Sequence, residues 1–235
     1  MGVNAISDLE IIKNGFDFSY LLGILKSVIP SLICITLHEL SHGLVAYRLG
    51  DDTAKRAGRL TLNPLKHLDP IGLLMMVTVH FGYAKPVPVN MNKFKNPKRD
   101  MAITALAGPV SNVLITLVFL LLYGTFYLPL KGNSVGEYIL DMLDLTAYIS
   151  IGYAIFNMLP IPPLDGSKVV FSLLDEDSYR RLMRYERYGG LILIILVWSG
   201  VLGTPLSRAI QWTYLRLFPI AQWACNIVLK LFYNR

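Results

Sequence analysis

Apolar residues in this chain do not alternate with polar ones. They come in long blocks, separated by basic stretches rich in Pro and Gly. A membrane-crossing helix needs about 20 predominantly apolar residues. Residues 20–48 and 101–128 meet that length, and the shorter blocks 145–159 and 188–203 are read as further spans. Residues 208–233 are apolar but carry Arg208, Arg216 and Lys230, so the pattern fits a span or a helix lying along the interface. Residues 1–19 form a weakly amphipathic lead-in, and 129–143 read as a short polar loop. Ile71 to Phe81 is apolar but too short to cross, which predicts a re-entrant or interfacial segment. After it, Gly82 to Asn90 reads as extended. Pro86 and Pro88 remove the donors from one edge, leaving the edge around Val87 free to pair. A plain proline-rich turn fits the same residues.

The expected fold is an all-α polytopic membrane protein with about four to six transmembrane helices and a short re-entrant or β-like segment near 71–90. The whole of 1–235 reads as one integral-membrane domain, with a core over 20–170 and C-terminal helices over 188–233.

Composition agrees. The chain is 54% hydrophobic and 16% charged, against about 25% charge in an average globular protein. The first twenty residues carry Asp8, Glu10 and Asp17 and do not read as a cleavable signal. A net charge of +6 invites a nucleic-acid reading, but the placement of the charges argues against it. Nine Lys/Arg lie between residues 50 and 100, one between 129 and 143, and five between 165 and 187. Such alternation marks cytoplasmic loops beside membrane spans. Two cysteines give no disulfide framework.

The chemistry begins at His38-Glu39-Leu40-Ser41-His42, an H-E-x-x-H motif inside the first apolar block. Residues four apart stack on one helix face, so His38 and His42 can close on one zinc ion. Glu39 sits about 100° round the helix, where its carboxylate can take a proton from a water without being a ligand. Two solvated surface histidines are the alternative, and the apolar setting opposes it, because ionisable groups in membrane segments are costly. Cys34, one turn earlier, would stretch the ligand set over about 12 Å and reads as a packing residue. His67 reads as a loop or interfacial histidine, and His80 as a packing or rim residue.

A third ligand follows from depth. If basic loops are cytoplasmic, the first span runs inward, and His38 lies 18 residues beyond Tyr20, about 27 Å along the helix. In a hydrocarbon core about 30 Å thick, that places it toward the cytoplasmic face. The third span also runs inward, and Asp165 follows its end in Asn157-Met158-Leu159-Pro160-Ile161-Pro162-Pro163-Leu164-Asp165-Gly166. An aspartate before glycine is often only a turn residue. The matching depth favours Asp165 as a ligand, with a fourth position open for water.

These residues resemble the site-2 protease family of intramembrane zinc metalloproteases in its minimal form. The resemblance rests on H-E-L-S-H at 38–42, G-R-L-T-L-N-P at 58–64, K-P-V-P-V-N at 85–90, A-G-P-x-x-N at 107–112 and N-M-L-P-I-P-P-L-D-G at 157–166. It implies that His38, His42 and Asp165 bind zinc, that Glu39 is the general base, and that Asn112 and Asn157 help hold the substrate. Spacing alone leaves both asparagines equally open to a role as hydrogen-bonding glue between spans. Larger members carry a peptide-binding or nucleotide-sensing domain, neither of which is expected in 235 residues.

The expected activity is hydrolysis of peptide bonds in or near transmembrane helices of membrane-protein substrates, in a cell membrane, with the site toward the cytoplasm. An inactive relative, or a metal-binding scaffold or transporter, is the competing reading, and the intact Glu39 opposes it. A zinc protease acting on soluble peptides would need a hydrophilic domain that the sequence lacks.

Overall fold

A computed structural model describes residues 18–69 and 85–233. Eight helices account for most of them: α1 (Phe18–Arg48), α2 (Thr53–Arg56), α3 (Pro97–Leu130), α4 (Ser134–Asn157), α5 (Asp165–Ser172), α6 (Glu176–Trp198), α7 (Gly203–Leu217) and α8 (Pro219–Val228). No β-strand occurs among the described residues. Four segments are long and apolar enough to cross a membrane: Val28–Arg48, Pro97–Leu130, Ser134–Asn157 and Gly203–Phe232. The protein is an all-α, multi-pass membrane protein.

The helix α3 is the hub, packing against α1, α4, α5 and α8. Among its buried residues one row recurs every fourth position: Asp100, Thr104, Gly108, Asn112, Thr116, Leu120 and Gly124. Four-residue spacing keeps side chains in one row on a helix, so this row follows the bundle interior along the span, flanked by Met101, Ala102, Ala105, Pro109 and Ile115. Toward its C-terminal end Leu120 joins Ala147 and Ile151 of α4, Tyr214 of α7 and Ala221 of α8 in the main apolar cluster. There Gly124 meets the backbone of Ala221 so closely that a side chain would not fit. Small residues let membrane helices approach in this way. At the other end Ala46, Phe94 and Met101 form a second cluster with Leu49, Val89 and Met91.

Three expectations change. The loop foreseen over 129–143 shrinks to residues 131–133. Gly132 turns the chain at φ +86°, and the Asn133 side chain caps α4 by accepting from Val135 N–H. The polar residues that suggested a loop are helical and engaged. Asp141 pairs with Lys26 of α1 at 2.5 Å, and just past that stretch Asp144 accepts from the Tyr214 hydroxyl. Residues 188–203 do not form a helix long and apolar enough to cross a membrane. The apolar part of α6 is only Tyr188–Trp198, about 16 Å of helix, and Gly200 at φ +71° follows its end. The last span is instead built from α7 and α8, divided at Pro219, which has no N–H to continue the ladder.

The third change concerns the segment after α2. Residues 71–81, His80 and Gly82 to Ala84 lie outside the described residues. Residues 85–90 run without strand structure, as a strap along the last turns of α1. The edge around Val87 is not free, because its N–H donates to the Glu39 carboxylate at 2.8 Å. Pro86 and Pro88 do lack donors, but the donor between them is turned into the protein. A buried or half-buried carboxylate needs such a partner more than a strand edge does.

Candidate metal centre

The helix α1 delivers His38 and His42 on one face, one turn apart, with their rings 4.6 Å apart edge to face. Asp165 comes from the first turn of α5, after the loop that ends α4. Gly166 behind it rests on the Met158 and Leu159 carbonyls at a distance no side chain permits, so the turn presses against the end of α4. The Ser167 hydroxyl closes the turn onto Leu164 O at 2.7 Å.

These elements bring three ligand atoms together. The two Nε2 atoms are 3.0 Å apart, and each lies 3.2 Å from Asp165 Oδ2. A tetrahedral zinc site with bonds of about 2.05 Å has ligand–ligand edges of about 3.3 Å. The observed triangle is that size to within a few tenths of an ångström. All three residues are buried, at most 8% exposed. Two lone-pair-bearing nitrogens and a carboxylate oxygen turned inward on one point make a donor set suited to a cation.

Protonation supports the same use. His42 Nδ1 lies 2.7 Å from the carbonyl oxygen of Thr104. A carbonyl only accepts, so Nδ1 carries the proton and Nε2 presents its lone pair to the cluster. No sequence motif points to Thr104, because the group that acts is its backbone. His38 Nδ1 is buried without a partner.

Gly108, in the A-G-P-x-x-N motif of α3, packs its bare backbone against both imidazoles. A Cβ there would sit 2.5 Å from His38 Cε1, His42 Cε1 and His42 Nε2. The space beside the imidazoles exists only because α3 has no side chain at this point. The four-residue row Thr104, Gly108, Asn112, Thr116, polar or small in an otherwise apolar block, was the sequence signal for it.

The remaining predicted residues divide. Glu39 is half-buried on the adjacent face of α1, its Oε2 accepting from Val87 N–H. Asn112 is 0% exposed, and both its amide nitrogen and oxygen lack partners. It therefore makes no bond between spans through its side chain. Its backbone carbonyl does that instead, accepting from Ser150 of α4 at 2.8 Å. Asn157 is half-buried, and its amide donates to Tyr153 O on its own helix at 3.0 Å. Neither asparagine uses its side chain as glue between helices. His67 is buried, with Nε2 2.9 Å from Thr61 O, and serves the loop after α2.

Comparison with known proteins agrees with this chemistry. The pattern of Peptidase family M50 matches residues 125–202, which include Asp165 but not the histidines. A Bacillus subtilis protein named "Putative zinc metalloprotease YwhC" is 36% identical over 211 residues, covering 87% of this chain and 90% of its own. Rip2 of Mycolicibacterium smegmatis, named in the same terms, is 30% identical over 190 residues, 78% of this chain and 70% of its own. "Zinc metalloprotease RasP" of Bacillus licheniformis is 27% identical over 165 residues, 66% of this chain and 35% of its own. No solved structure matches the chain at a significant level. With a relative of this identity covered almost end to end, a His-His-Asp group of zinc-site size and four membrane-length helices, the chain belongs to Peptidase family M50, the site-2 protease family, and is a membrane zinc metalloprotease.

Proposed function

We propose that this protein hydrolyses peptide bonds in or beside transmembrane helices of other membrane proteins, as a step of regulated intramembrane proteolysis, at a site toward the cytoplasm. The observation that carries the reading is the triangle of His38, His42 and Asp165 atoms, 3.0–3.2 Å on a side, drawn from two helices far apart in the chain and buried. The charge distribution supports the orientation, with nine Lys/Arg between residues 50 and 100 on the side where α1 ends.

In this reading His38, His42 and Asp165 hold the zinc. When bound, the metal supplies a Lewis acid that polarises a carbonyl and lowers the pKa of a coordinated water to about 7. Glu39 accepts a proton from water as its oxygen forms a bond to the substrate carbonyl carbon. It then gives that proton to the departing amine as the C–N bond breaks. The Val87 N–H fixes one carboxylate oxygen and leaves the other for the proton.

A substrate helix has its peptide groups bonded internally, so it must unwind to be cut, and unwound groups in lipid cost several kcal/mol each. Asn112 offers two donors and an acceptor with no competing partner. Since it is fully buried, α3 and its neighbours part around it when substrate arrives. Asn157 contributes after its amide leaves Tyr153 O.

The test is cleavage of a reporter transmembrane helix by purified protein in detergent, with zinc measured on the same samples. Glu39→Gln keeps its zinc and loses cleavage by about 1,000-fold or more; His38→Ala and Asp165→Asn lose zinc. Cleavage persisting in Glu39→Gln would remove the base assignment. Full zinc in Asp165→Asn would remove the third ligand.

A further inference from the structure

We propose that Gly108 of α3 is the positioning residue that sets the size of the metal cavity, so that the absence of a side chain at this one position is required for zinc to bind. The proposal rests on the ligand assignment above and extends it to a residue that touches neither substrate nor metal through a functional group.

Three observations converge. First, a Cβ at position 108 would sit 2.5 Å from ring atoms of both histidines, including His42 Nε2, which faces the cluster. Real carbon–nitrogen contacts are nearer 3.5 Å, so the rings would have to move. Second, the rings cannot retreat freely. His42 is tied through Nδ1 to Thr104 O on α3 itself, one turn before Gly108, and both rings are buried. A methyl group would therefore turn His42 against its own hydrogen bond and widen a triangle that is now the size of a zinc site. Third, Gly108 lies inside a 34-residue helix, where alanine is the better helix former. Nothing about the local backbone asks for glycine. Its φ is not among the positive values, which occur at Gly50, Gly58, Gly132 and Gly200. The demand comes from the tertiary contact with the imidazoles.

Gly124 on the same stripe is the internal control. It too leaves no room for a Cβ, but what it meets is the backbone of Ala221. Gly124→Ala should disturb helix packing without reaching the metal.

The experiment uses the full chain in detergent, with zinc content by mass spectrometry, zinc affinity by chelator competition, and thermal melting of the metal-free protein. Gly108→Ala should lower zinc affinity by about 100-fold, as changes to groups around ligands do at their upper range. Gly124→Ala should melt earlier and bind zinc as wild type does. Should Gly108→Ala bind zinc with unchanged affinity, the proposal fails. His42→Ala separates this from the ligand assignment. Zinc retained in His42→Ala overturns the assignment, whereas zinc lost there but retained in Gly108→Ala overturns the cavity proposal alone.

Should Gly108→Ala fail to accumulate, its combination with His38→Ala and His42→Ala decides. The clash lies with both rings, so removing both should relieve it, and the metal-free triple variant should melt close to the His38→Ala/His42→Ala pair. A triple variant that also fails to accumulate, or one whose losses simply add, shows that the added methyl collides elsewhere and overturns the proposal.

Discussion

The two ends of α3 are built from one register and serve different purposes. From Thr104 to Thr116 the buried row is polar or bare: a carbonyl that orients His42, a glycine against both imidazoles, an asparagine with an unpartnered amide, and a threonine that bonds Asn112 O and Ala147 O. From Leu120 to Gly124 the row is apolar and closes on Ala147, Ile151, Tyr214 and Ala221. Apolar packing gathers at the C-terminal end, where among the described residues no buried side-chain polar atom is left without a partner. Toward the N-terminal end the row tolerates a buried amide worth about 1–3 kcal/mol of unmade hydrogen bonding. A helix that only needed to hold the bundle together would not keep such a residue.

The contrast can be broken by exchanging what each end is asked to do. Leu120→Ala has the largest expected effect. It empties a fully buried position and should cost about 2–5 kcal/mol of stability, while zinc binding per folded molecule stays as in wild type. Melting and metal analysis on one sample check both halves, and zinc loss in step with stability would mean that the two ends are not separable. Asn112→Ala should do the reverse. Cleavage of the reporter helix should fall about 100-fold, equivalent to about 2.7 kcal/mol. Melting should stay level or rise, since an unsatisfied amide is removed. A clear fall in melting temperature would show the amide to be a structural residue after all.

The smallest effect tests the strap. Asp51 is fully buried and accepts from Thr53 N–H, the Thr53 hydroxyl and Asn90 N–H. Burial pushes its carboxyl up, but these bonds and the charge of Lys93 outweigh burial and hold it below the ordinary value of 3.8. A depressed carboxylate stabilises the fold above its ordinary value, and the contribution disappears as pH falls through the folded value. Asp51→Asn should therefore melt below wild type by the equivalent of about 1–3 kcal/mol at neutral pH. The gap should hold down to about pH 5 and narrow below pH 4. A gap independent of pH down to about 3 would show that the charge of Asp51 contributes nothing.

How much of this was legible in the sequence depends on the range of each interaction. His38 and His42 are four apart on one helix, and helical geometry alone predicts their convergence. Asp165 lies more than a hundred residues away, yet the charge pattern and span lengths brought it to the right depth. Gly108 and Thr104 could not be assigned, because their roles arise where α3 crosses α1. One acts through a backbone carbonyl and the other through having no side chain. Asp141 was read as a loop residue because its partner, Lys26, is distant in the chain. Val87 was misjudged for a similar reason. Its flanking prolines were informative, but the carboxylate that takes its N–H lies 48 residues earlier.

The strap from Lys85 to Phe94 ties the loop after α1 to the buried cluster. Past the end of α1 it is fastened through Asn90 to Asp51 and Lys93 to Asp52, and nearer its start Val87 holds Glu39. The bearing of that carboxylate is thus set in part by contacts made beyond the last turn of the helix that carries it.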